Sequence, residues 1–338
     1  MLGLTYIKNK IRGDAVSGAI LMYHHIRDIA VDPWETAVSP AYFREHLDVL
    51  RRQYQVLAIG GDNIGTPKAG SRKKIFITFD DGYLDNYEAA VPALKKHGFP
   101  ATFFIPTQIL RGEEFFWWEI VDQLFWEQET LPDALALRLG NDSFISETAP
   151  ALAARRPRAE GNWSANTQPP PTEYCRLYVA LCDWIKKQSP DDQQAITRKL
   201  TDWCQDKRPA TSRKMLPGQI RELSREGFGI GAHTIHHPAL GFQAYDIQRQ
   251  EITGSRHELE TLLGKEVTTL AYPHGHLNQD TVPITRQAGY QYACTTEAGG
   301  IKRTSDLLAL PRIWVRNMDG ASFERALAAI FKRQTILR

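Results

Sequence analysis

Short apolar runs recur along this chain at intervals that leave room for a helix, and they constrain its fold most. They lie at residues 19–26, 74–79, 101–105, 229–232, 268–272, 290–295 and 309–315. Most of them are too continuously apolar for strands with one face in water, and strands buried on both faces are typical of parallel sheets covered by helices. Helical patterns such as 40–53 and 245–263 lie between them. The sequence therefore predicts an α/β fold.

The alternation of strands and helices breaks between about residues 111 and 214. This segment carries an aromatic-rich stretch at 115–126 and two helical patterns, at 173–187 and 191–206. A chain of 338 residues, 42% of them hydrophobic, is long enough for one core with a sizeable insertion. We therefore expect a single domain over residues 1–338, with an α-helical insertion at about 111–214.

Charge and hydropathy limit the classes of partner. The 41 basic and 39 acidic residues are scattered and leave a net charge of +2, which argues against a nucleic acid as the main partner. No run approaches the roughly 20 apolar residues that span a bilayer, so we expect no transmembrane segment. The N-terminal residues contain no apolar stretch of signal-peptide length. These features predict a cytoplasmic protein, with peripheral membrane contact left open.

The cysteines show no spacing that is typical of a metal or redox site. The chain has four of them, Cys175, Cys182, Cys204 and Cys294, and none forms a CxxC pair. This pattern predicts buried free thiols, in keeping with a reducing compartment.

Two adjacent carboxylates form the first candidate site. Asp80 and Asp81 follow the apolar run at 74–79 and precede Gly82. Parallel sheets present functional groups at the carboxyl ends of their strands. Adjacent carboxylates repel one another unless one meets a cation, so Asp81 is a candidate metal ligand and Asp80 a candidate base that acts on water. A turn with a helix N-cap is the alternative explanation of this motif.

Three histidines form the second candidate site. His233, His236 and His237 follow the apolar run at 229–232. His233 and His237 are four residues apart and can reach one metal ion from a single turn, and neutral imidazole suits zinc and its neighbours in the first transition row. Thr234 is placed to hydrogen-bond within this loop and hold its shape. A lone histidine is more often structural, but this group completes a ligand set with the preceding motif.

The two motifs together resemble those of the polysaccharide deacetylases of the NodB-homology family, carbohydrate esterase family 4. The family pattern T-F-D-D-G matches residues 78–82, and the pattern H-[ST]-x-x-H matches residues 233–237. The resemblance covers roughly residues 19–110 and 217–315. It implies a distorted (β/α)7-type barrel, with the helical insertion between the two motifs.

The resemblance also implies an activity and the residues that perform it. The activity is removal of an N-acetyl group from an amino sugar in a glycan or glycan precursor, with release of acetate. Asp80 is implied as the general base. The implied cofactor is a divalent metal, Zn²⁺ or another first-row ion, whose ligands are Asp81, His233 and His237. His236 matches a variable position of the pattern and is left out of the ligand set.

A third family motif aligns with Tyr272, Pro273 and His274, in the segment L-A-Y-P-H-G. The resemblance implies that these residues bind the substrate and that the backbone N–H of His274 helps to form an oxyanion hole. The arginine that orients the base in the family is missing, because Ala271 stands in its place. Arg312 is a candidate substitute, and a surface or core-rim arginine is the alternative explanation.

The general acid also departs from the common arrangement, since residues 309–317 contain no histidine. The apolar run at 19–26 includes Y-H-H and resembles the start of the circularly permuted members, which act on poly-N-acetylglucosamine-type chains. The resemblance implies His24 as the acid. His25 is the alternative, because strand alternation would send the two imidazoles to opposite faces. Either one could instead be a core histidine.

The predicted partner is an N-acetylated sugar or oligosaccharide, in exopolysaccharide biosynthesis or a related pathway. Tyr83, Trp117 and Trp118 are candidates for a platform under a sugar ring. For the two tryptophans, packing of the insertion onto the sheet is the favoured explanation. Two other functions stay open: O-deacetylation of a sugar ester, and glycan binding by a homologue that has lost the chemistry. The missing arginine favours the latter, and retention of both carboxylates and both histidines argues against it.

Overall fold

Parallel strands form a closed barrel at the centre of the molecule. The computed structural model describes residues 16–64, 72–112, 115–127, 134–139, 142–147, 163–203 and 213–332. The strands that it describes are β1 (Gly18–Tyr23), β2 (His25–Ile26), β3 (Ala37–Val38), β4 (Gln55–Val56), β5 (Lys74–Phe79), β6 (Thr102–Ile105), β7 (Ala134–Leu139), β8 (Asp142–Glu147), β9 (Gly229–Ala232), β10 (Thr269–Ala271), β11 (Tyr292–Ala298) and β12 (Leu310–Trp314).

The barrel closes because β1 pairs with a strand on each side. The strand order is β5-β6-β9-β10-β11-β12-β1, and β1 returns to β5 in parallel register, from Gly18 opposite Lys74 to Tyr23 opposite Phe79. β4 lies outside the ring and pairs with β5. The seven apolar runs of the sequence correspond to the seven barrel strands. The prediction of a (β/α)7-type barrel is therefore confirmed.

Helices outside the insertion cover the barrel and bury one face each against it. The described α-helices are α1 (Pro40–Gln53), α2 (Val91–His97), α3 (Trp117–Asp122), α4 (Glu173–Lys186), α5 (Pro190–Trp203), α6 (Pro217–Arg225), α7 (Tyr245–Leu263), α8 (Thr281–Gln287) and α9 (Gly320–Lys332). In α1 the spacing of Phe43, Leu47 and Leu50 places all three side chains in the core. Among the described residues, none of the helices has both the length and the apolar character to cross a bilayer.

The insertion has a buried cluster of its own, built largely from α3, α4 and α5. It also contains an antiparallel pair of strands, β7 with β8, which the prediction of an α-helical insertion missed. The signal for that pair is a period of two, since Leu137 is fully buried while Ala136 and Arg138 beside it are exposed. The pattern is short, and the longer helical patterns at 173–187 and 191–206 dominated the prediction for this segment. The single-domain organisation of the chain stays a prediction.

The described cysteines are free and buried. Cys175 and Cys182 lie in α4, and Cys294 lies in β11. The prediction of buried free thiols is confirmed for these three. Cys204 lies outside the described residues.

His46 joins α1 to α9 within the core. Its side chain is fully buried, and its Nε2 lies 2.8 Å from the carbonyl oxygen of Met318. Its Nδ1 lies 3.2 Å from the Tyr23 hydroxyl, and its ring stacks on Phe323 with centroids 4.1 Å apart. Burial lowers the pKa of His46 from 6.5 to about 4, although the hydrogen bond with Met318 opposes this shift. The fold therefore keeps this imidazole neutral.

We expect the free energy of unfolding to rise as the pH increases from about 4 to 6.5, because only the unfolded chain binds a proton at His46 in that interval. The contribution is about 3 kcal/mol across the interval. His46→Gln, whose amide can form both hydrogen bonds, should flatten this part of the profile. Urea unfolding at several pH values measures it, with the exposed His257→Gln in α7 as the control. A His46→Gln profile with the wild-type slope would contradict the assignment.

Candidate active site

The chain turns sharply where the two carboxylates leave β5. Asp81 and Gly82 both adopt left-handed backbone, with φ of 71° and 66°. A side chain on Gly82 would place its Cβ 2.8 Å from Ile109, so glycine is required here. The segment is a turn, as the alternative explanation of the motif holds, but Asp80 and Asp81 are buried with 2% and 5% of their surface exposed. Burial of two adjacent carboxylates calls for positive partners.

The loop from His233 to His237 follows β9 and is held by a buried glutamate. Oε2 of Glu251, in α7, accepts hydrogen bonds from the backbone N–H groups of Ile235 and His236, and its Oε1 lies 2.6 Å from Nδ1 of His236. The Thr234 hydroxyl accepts a hydrogen bond from the N–H of His237. These contacts stabilise a loop in which Thr234 and His237 have positive φ. His236 is turned toward Glu251, in agreement with its exclusion from the ligand set.

Asp81, His233 and His237 converge on one point. Oδ1 of Asp81 lies 3.4 Å from Nε2 of His233 and 3.3 Å from Nε2 of His237. The two Nε2 atoms are 3.1 Å apart. Within the described part of the chain, these are the residues whose ligand atoms lie close enough together to hold a metal ion, all within 4.8 Å of one another.

The chemistry of these atoms fits a divalent cation. Nδ1 of His233 lies 2.7 Å from the carbonyl oxygen of Ala271, so Nδ1 carries the proton and the Nε2 lone pair faces the group. Oδ1 of Asp81 is buried and lacks a hydrogen bond of good geometry from any described residue. Buried acceptor atoms that face one another favour the binding of a shared cation. Two imidazoles and a carboxylate are also a ligand set of catalytic zinc sites.

Asp80 is paired with Arg312 of β12. The guanidinium donates two hydrogen bonds to the carboxylate, at 2.8 Å to Oδ1 and 2.7 Å to Oδ2, and Nε donates to the carbonyl oxygen of Thr295. Burial raises the pKa of Asp80, but the charge and hydrogen bonds of Arg312, together with the charges of His233 and His24, outweigh burial and hold this pKa below its ordinary value. Arg312 is 1% exposed, so the alternative of a surface or rim arginine is wrong. Nε, Nη1 and Nη2 all donate to protein groups, which makes Arg312 an orienting residue for Asp80.

His25 is hydrogen-bonded to a carboxylate next to the site. Its Nδ1 lies 2.7 Å from Oδ2 of Asp85, and its ring stacks on Tyr83 with centroids 3.6 Å apart. Oδ1 of Asp85 accepts the backbone N–H of Ile26. No sequence motif includes Asp85, whose only signal is its place four residues after Asp81.

His24 lies in the same cavity but keeps a free ring nitrogen. Its Nδ1 is buried without a hydrogen-bond partner among the described residues, and its ring lies 5.1 Å from that of Trp314. Burial lowers the pKa of His24, while the charges of Asp81 and Asp80 act in the opposite direction. The expectation that His24 and His25 face opposite sides is wrong, because β1 ends at Tyr23 and both histidines line one cavity.

The third motif forms a tight turn beside the metal-ligand candidates. His274 has a positive φ of 56°, and its ring lies 4.6 Å from that of His237. Burial and the neighbouring His237 hold the pKa of His274 well below its ordinary value. The Tyr272 hydroxyl donates to the carbonyl oxygen of Leu308 and its ring is fully buried, so the predicted substrate contact cannot come from this phenol. Pro273 is buried too and only shapes the turn.

The aromatic residues near the site are packed into the structure. Tyr83 is 3% exposed, with its ring against His25 and under the Lys214 ammonium, so it has no open face for a sugar. Trp117 is buried in the cluster of the insertion, and Trp118 packs on both the barrel core and that cluster. The two tryptophans therefore pack the insertion onto the barrel, and both also line the cavity beside the site. Lys214 also pairs with the buried Glu119, which fastens the insertion to the barrel.

A cavity of about 670 Å³ extends from the barrel mouth to the inner wall of the insertion. This volume lies in the range of small-molecule sites. The barrel side is lined by His24, Asp80, Asp81, His233, His237, His274 and Arg312, and the insertion side by Trp117, Trp118, Asp122, Trp126 and Lys186. The candidate base, acid and metal ligands thus share one chamber, whose far wall is supplied by the insertion.

The family pattern described as polysaccharide deacetylase matches residues 68–128 and 188–293, and it contains both motifs. YxkH of Bacillus subtilis (strain 168), whose name refers to the same family, is 23% identical over 308 residues, which are 90% of this chain and 74% of YxkH.

Two solved structures share the fold. The deacetylase PplD of Streptococcus pyogenes, in complex with acetate, has a TM-score of 0.57 and 20% identity over 94% of this chain and 99% of its own. A de-N-acetylase from Aggregatibacter actinomycetemcomitans has a TM-score of 0.54 and 15% identity over 91% and 98%. The fold, the family pattern and the two motifs agree: the chain contains a polysaccharide deacetylase domain.

Proposed function

We propose that this protein is a metal-dependent carbohydrate N-deacetylase, which hydrolyses the acetamide of an amino sugar in a glycan or glycan precursor. The observation that carries the proposal is a buried carboxylate–arginine pair beside a group of three metal-ligand candidates. Oδ2 of Asp80 lies 3.9 Å from Nε2 of His233, so base and ligands face the same small volume. Hydrolysis of an amide needs a base for water and a positive charge for the carbonyl oxygen at such short range.

Asp81, His233 and His237 would hold the metal, for which we propose Zn²⁺ because of its two imidazole ligands. When bound, the ion supplies a Lewis acid for the acetyl carbonyl and increases the acidity of water. The second contact of His233, from Nδ1 to the carbonyl of Ala271, keeps its Nε2 turned toward Asp81 and His237, where it would be available to the ion.

The remaining steps belong to side chains and backbone groups of this chain. Asp80 accepts a proton from the water that attacks the acetyl carbon, and Arg312 keeps Asp80 ionised and oriented for this task. The backbone N–H of His274 helps to stabilise the oxyanion. His24 donates a proton to the nitrogen as the C–N bond breaks. Water and the acetamide thereby become acetate and a free amine.

The N-acetyl group is proposed over an O-acetyl ester for a chemical reason. An amide nitrogen is a poor leaving group until it is protonated, so a buried acid near the base serves amide cleavage more than ester cleavage. The similar protein from Aggregatibacter is described as a de-N-acetylase, which agrees with this choice. The missing family arginine favoured a purely glycan-binding homologue. The Asp80–Arg312 pair argues against that function, because Arg312 supplies an arginine for the base.

Acetate release and metal content, measured on the same preparation, test the proposal. We expect about one equivalent of metal per chain and release of acetate from N-acetylglucosamine oligomers. Removal of the metal by a chelator should abolish the release, and addition of Zn²⁺ should restore it. Matching O-acetylated sugars, assayed in parallel, separate the two kinds of deacetylation. A protein that binds no metal and releases no acetate from either substrate would contradict the proposal.

A further inference from the structure

A carboxyl group of the insertion lies on the far wall of the cavity, in a fixed orientation. Asp122, at the end of α3, is partly buried, and its Oδ1 accepts a hydrogen bond of 2.5 Å from the Tyr178 hydroxyl. The same hydroxyl lies 2.7 Å from Nε1 of Trp34. An indole N–H can only donate, so Tyr178 accepts from Trp34 and donates to Asp122. The direction of this relay is therefore determined, and the carboxyl keeps acceptor capacity toward the cavity.

This carboxyl group lacks a positive partner. Burial raises the pKa of Asp122 to about 7, and the charge of Asp32 acts in the same direction, although the Tyr178 hydrogen bond opposes it. No lysine, arginine or histidine of the described ranges forms an ion pair with it. The Lys186 ammonium lines the same cavity, but it lies over the ring of Trp34 and 3.7 Å from Asp183. A cation that entered the cavity could therefore pair with Asp122 without displacing another positive group.

Indole rings lie next to the tyrosine that holds the carboxyl group. Trp34 and Trp126 both line the cavity, and the ring of Trp126 lies 5.1 Å from that of Tyr178. Indole faces attract cations and also the apolar faces of sugars. Trp117 adds a donor, because its Nε1 is buried without a hydrogen-bond partner among the described residues and its side chain is 5% exposed. The wall thus offers a carboxyl group that can pair with a cation, apolar faces and an N–H without a hydrogen-bond partner among the described residues.

We propose that the wall formed by Trp34, Asp122 and Trp126 is a second sugar subsite, which binds a ring that carries a free, protonated amine. Such a ring has a cation for the carboxylate, an apolar face for the indoles and oxygen atoms that accept the N–H of Trp117. The inference rests on the proposed function, because a free amine is the product of N-deacetylation. The preferred substrate is then a partly deacetylated chain, with an amine-bearing ring near the ring that is to be hydrolysed.

Calorimetric titration of the metal-loaded protein tests the subsite without turnover. The ligands are a trisaccharide of glucosamine and the matching trisaccharide of glucose, neither of which has an acetyl group. We expect the glucosamine trisaccharide to bind about tenfold more tightly, which is the effect of one charge-assisted hydrogen bond. Asp122→Asn should remove this difference and leave the affinity for the glucose trisaccharide within about twofold. Asp202→Asn, an exposed change of equal charge in α5, is the matched control.

Equal affinities of the wild type for the two trisaccharides would overturn the inference, and so would an equal loss of both affinities in Asp122→Asn. Tyr178→Phe guards against a variant that fails to fold, since it keeps the carboxylate and removes only the relay. It should weaken binding of the glucosamine trisaccharide alone. If acetate is released from acetylated oligomers but amine binding is insensitive to Asp122, the subsite proposal is wrong and the proposed function stands. If the amine binds through Asp122 and no acetate is released, the proposed function is wrong and the binding of the amine at this wall stands.

Discussion

The variant Asp80→Asn should retain the metal of the wild-type protein and release acetate about 10²–10⁴ times more slowly. Asparagine has the shape of aspartate but cannot take a proton from water at neutral pH. The three ligand candidates are unchanged, so the metal content should stay the same. Acetate release under saturating substrate and the metal content of the same sample measure both effects.

The exposed Asp246→Asn controls for the chemical change, since this side chain is 89% exposed at the start of α7. Circular dichroism checks that Asp80→Asn is folded, because the change leaves the Arg312 guanidinium without its anion. Activity above about one tenth of the wild-type rate would reject Asp80 as the base. Loss of the metal would instead make Asp80 a ligand.

The variant Arg312→Met should lower the free energy of unfolding at neutral pH by about 3–5 kcal/mol, because it leaves a buried carboxylate without its partner. In the wild type the lowered pKa of Asp80 contributes stability above the ordinary pKa of aspartate, and this contribution is lost as the pH falls through the lowered value. In the variant the charge and hydrogen bonds of Arg312 are gone, so that burial, the largest single effect, raises this pKa against only the charges of His233 and His24. The difference between the two proteins should therefore shrink at acid pH, which urea unfolding at several pH values can measure.

A matched control is Arg111→Met, which breaks an ion pair with Glu258 at a site where the arginine is 47% exposed. Its effect should stay below about 1 kcal/mol. The double variant Asp80→Asn with Arg312→Met should recover part of the stability lost in Arg312→Met, since no charge is then left buried. An Arg312→Met protein as stable as the wild type would show that Asp80 is not held as an anion by this arginine.

The barrel and the metal-ligand candidates could be predicted because each depends on a local pattern. Strands buried on both faces must be continuously apolar, so the apolar runs of the sequence predicted the number of barrel strands and their order along the chain. The spacing from His233 to His237 brings two imidazoles together within one loop. Arg312 had no such pattern, since it meets Asp80 from a strand two places away in the ring and 232 residues away in sequence. Only closure of the barrel brings the two together.

Side-chain direction accounts for most of what the sequence could not predict. Tyr83 and Tyr272 were expected at the substrate, but their rings are buried and their hydroxyls bond to protein groups. Glu251 was missed, although it orders the histidine loop, because a helical pattern does not distinguish a buried glutamate from a solvated one. The role of this buried carboxylate in α7 can be recognised only when the position of the loop that it binds is known.

Closure of the ring by β1 also sets an order on folding. β1 lies between β5 and β12, so the first barrel strand of the chain cannot be fully paired until the last one, at Leu310–Trp314, has been synthesised. Until then β1 and β11 expose unpaired backbone edges, which are templates for pairing with other chains. The base and the arginine that orients it come together in the same late event. A nascent chain should therefore depend on protection of these edges, and it should gain a competent centre only in one final step.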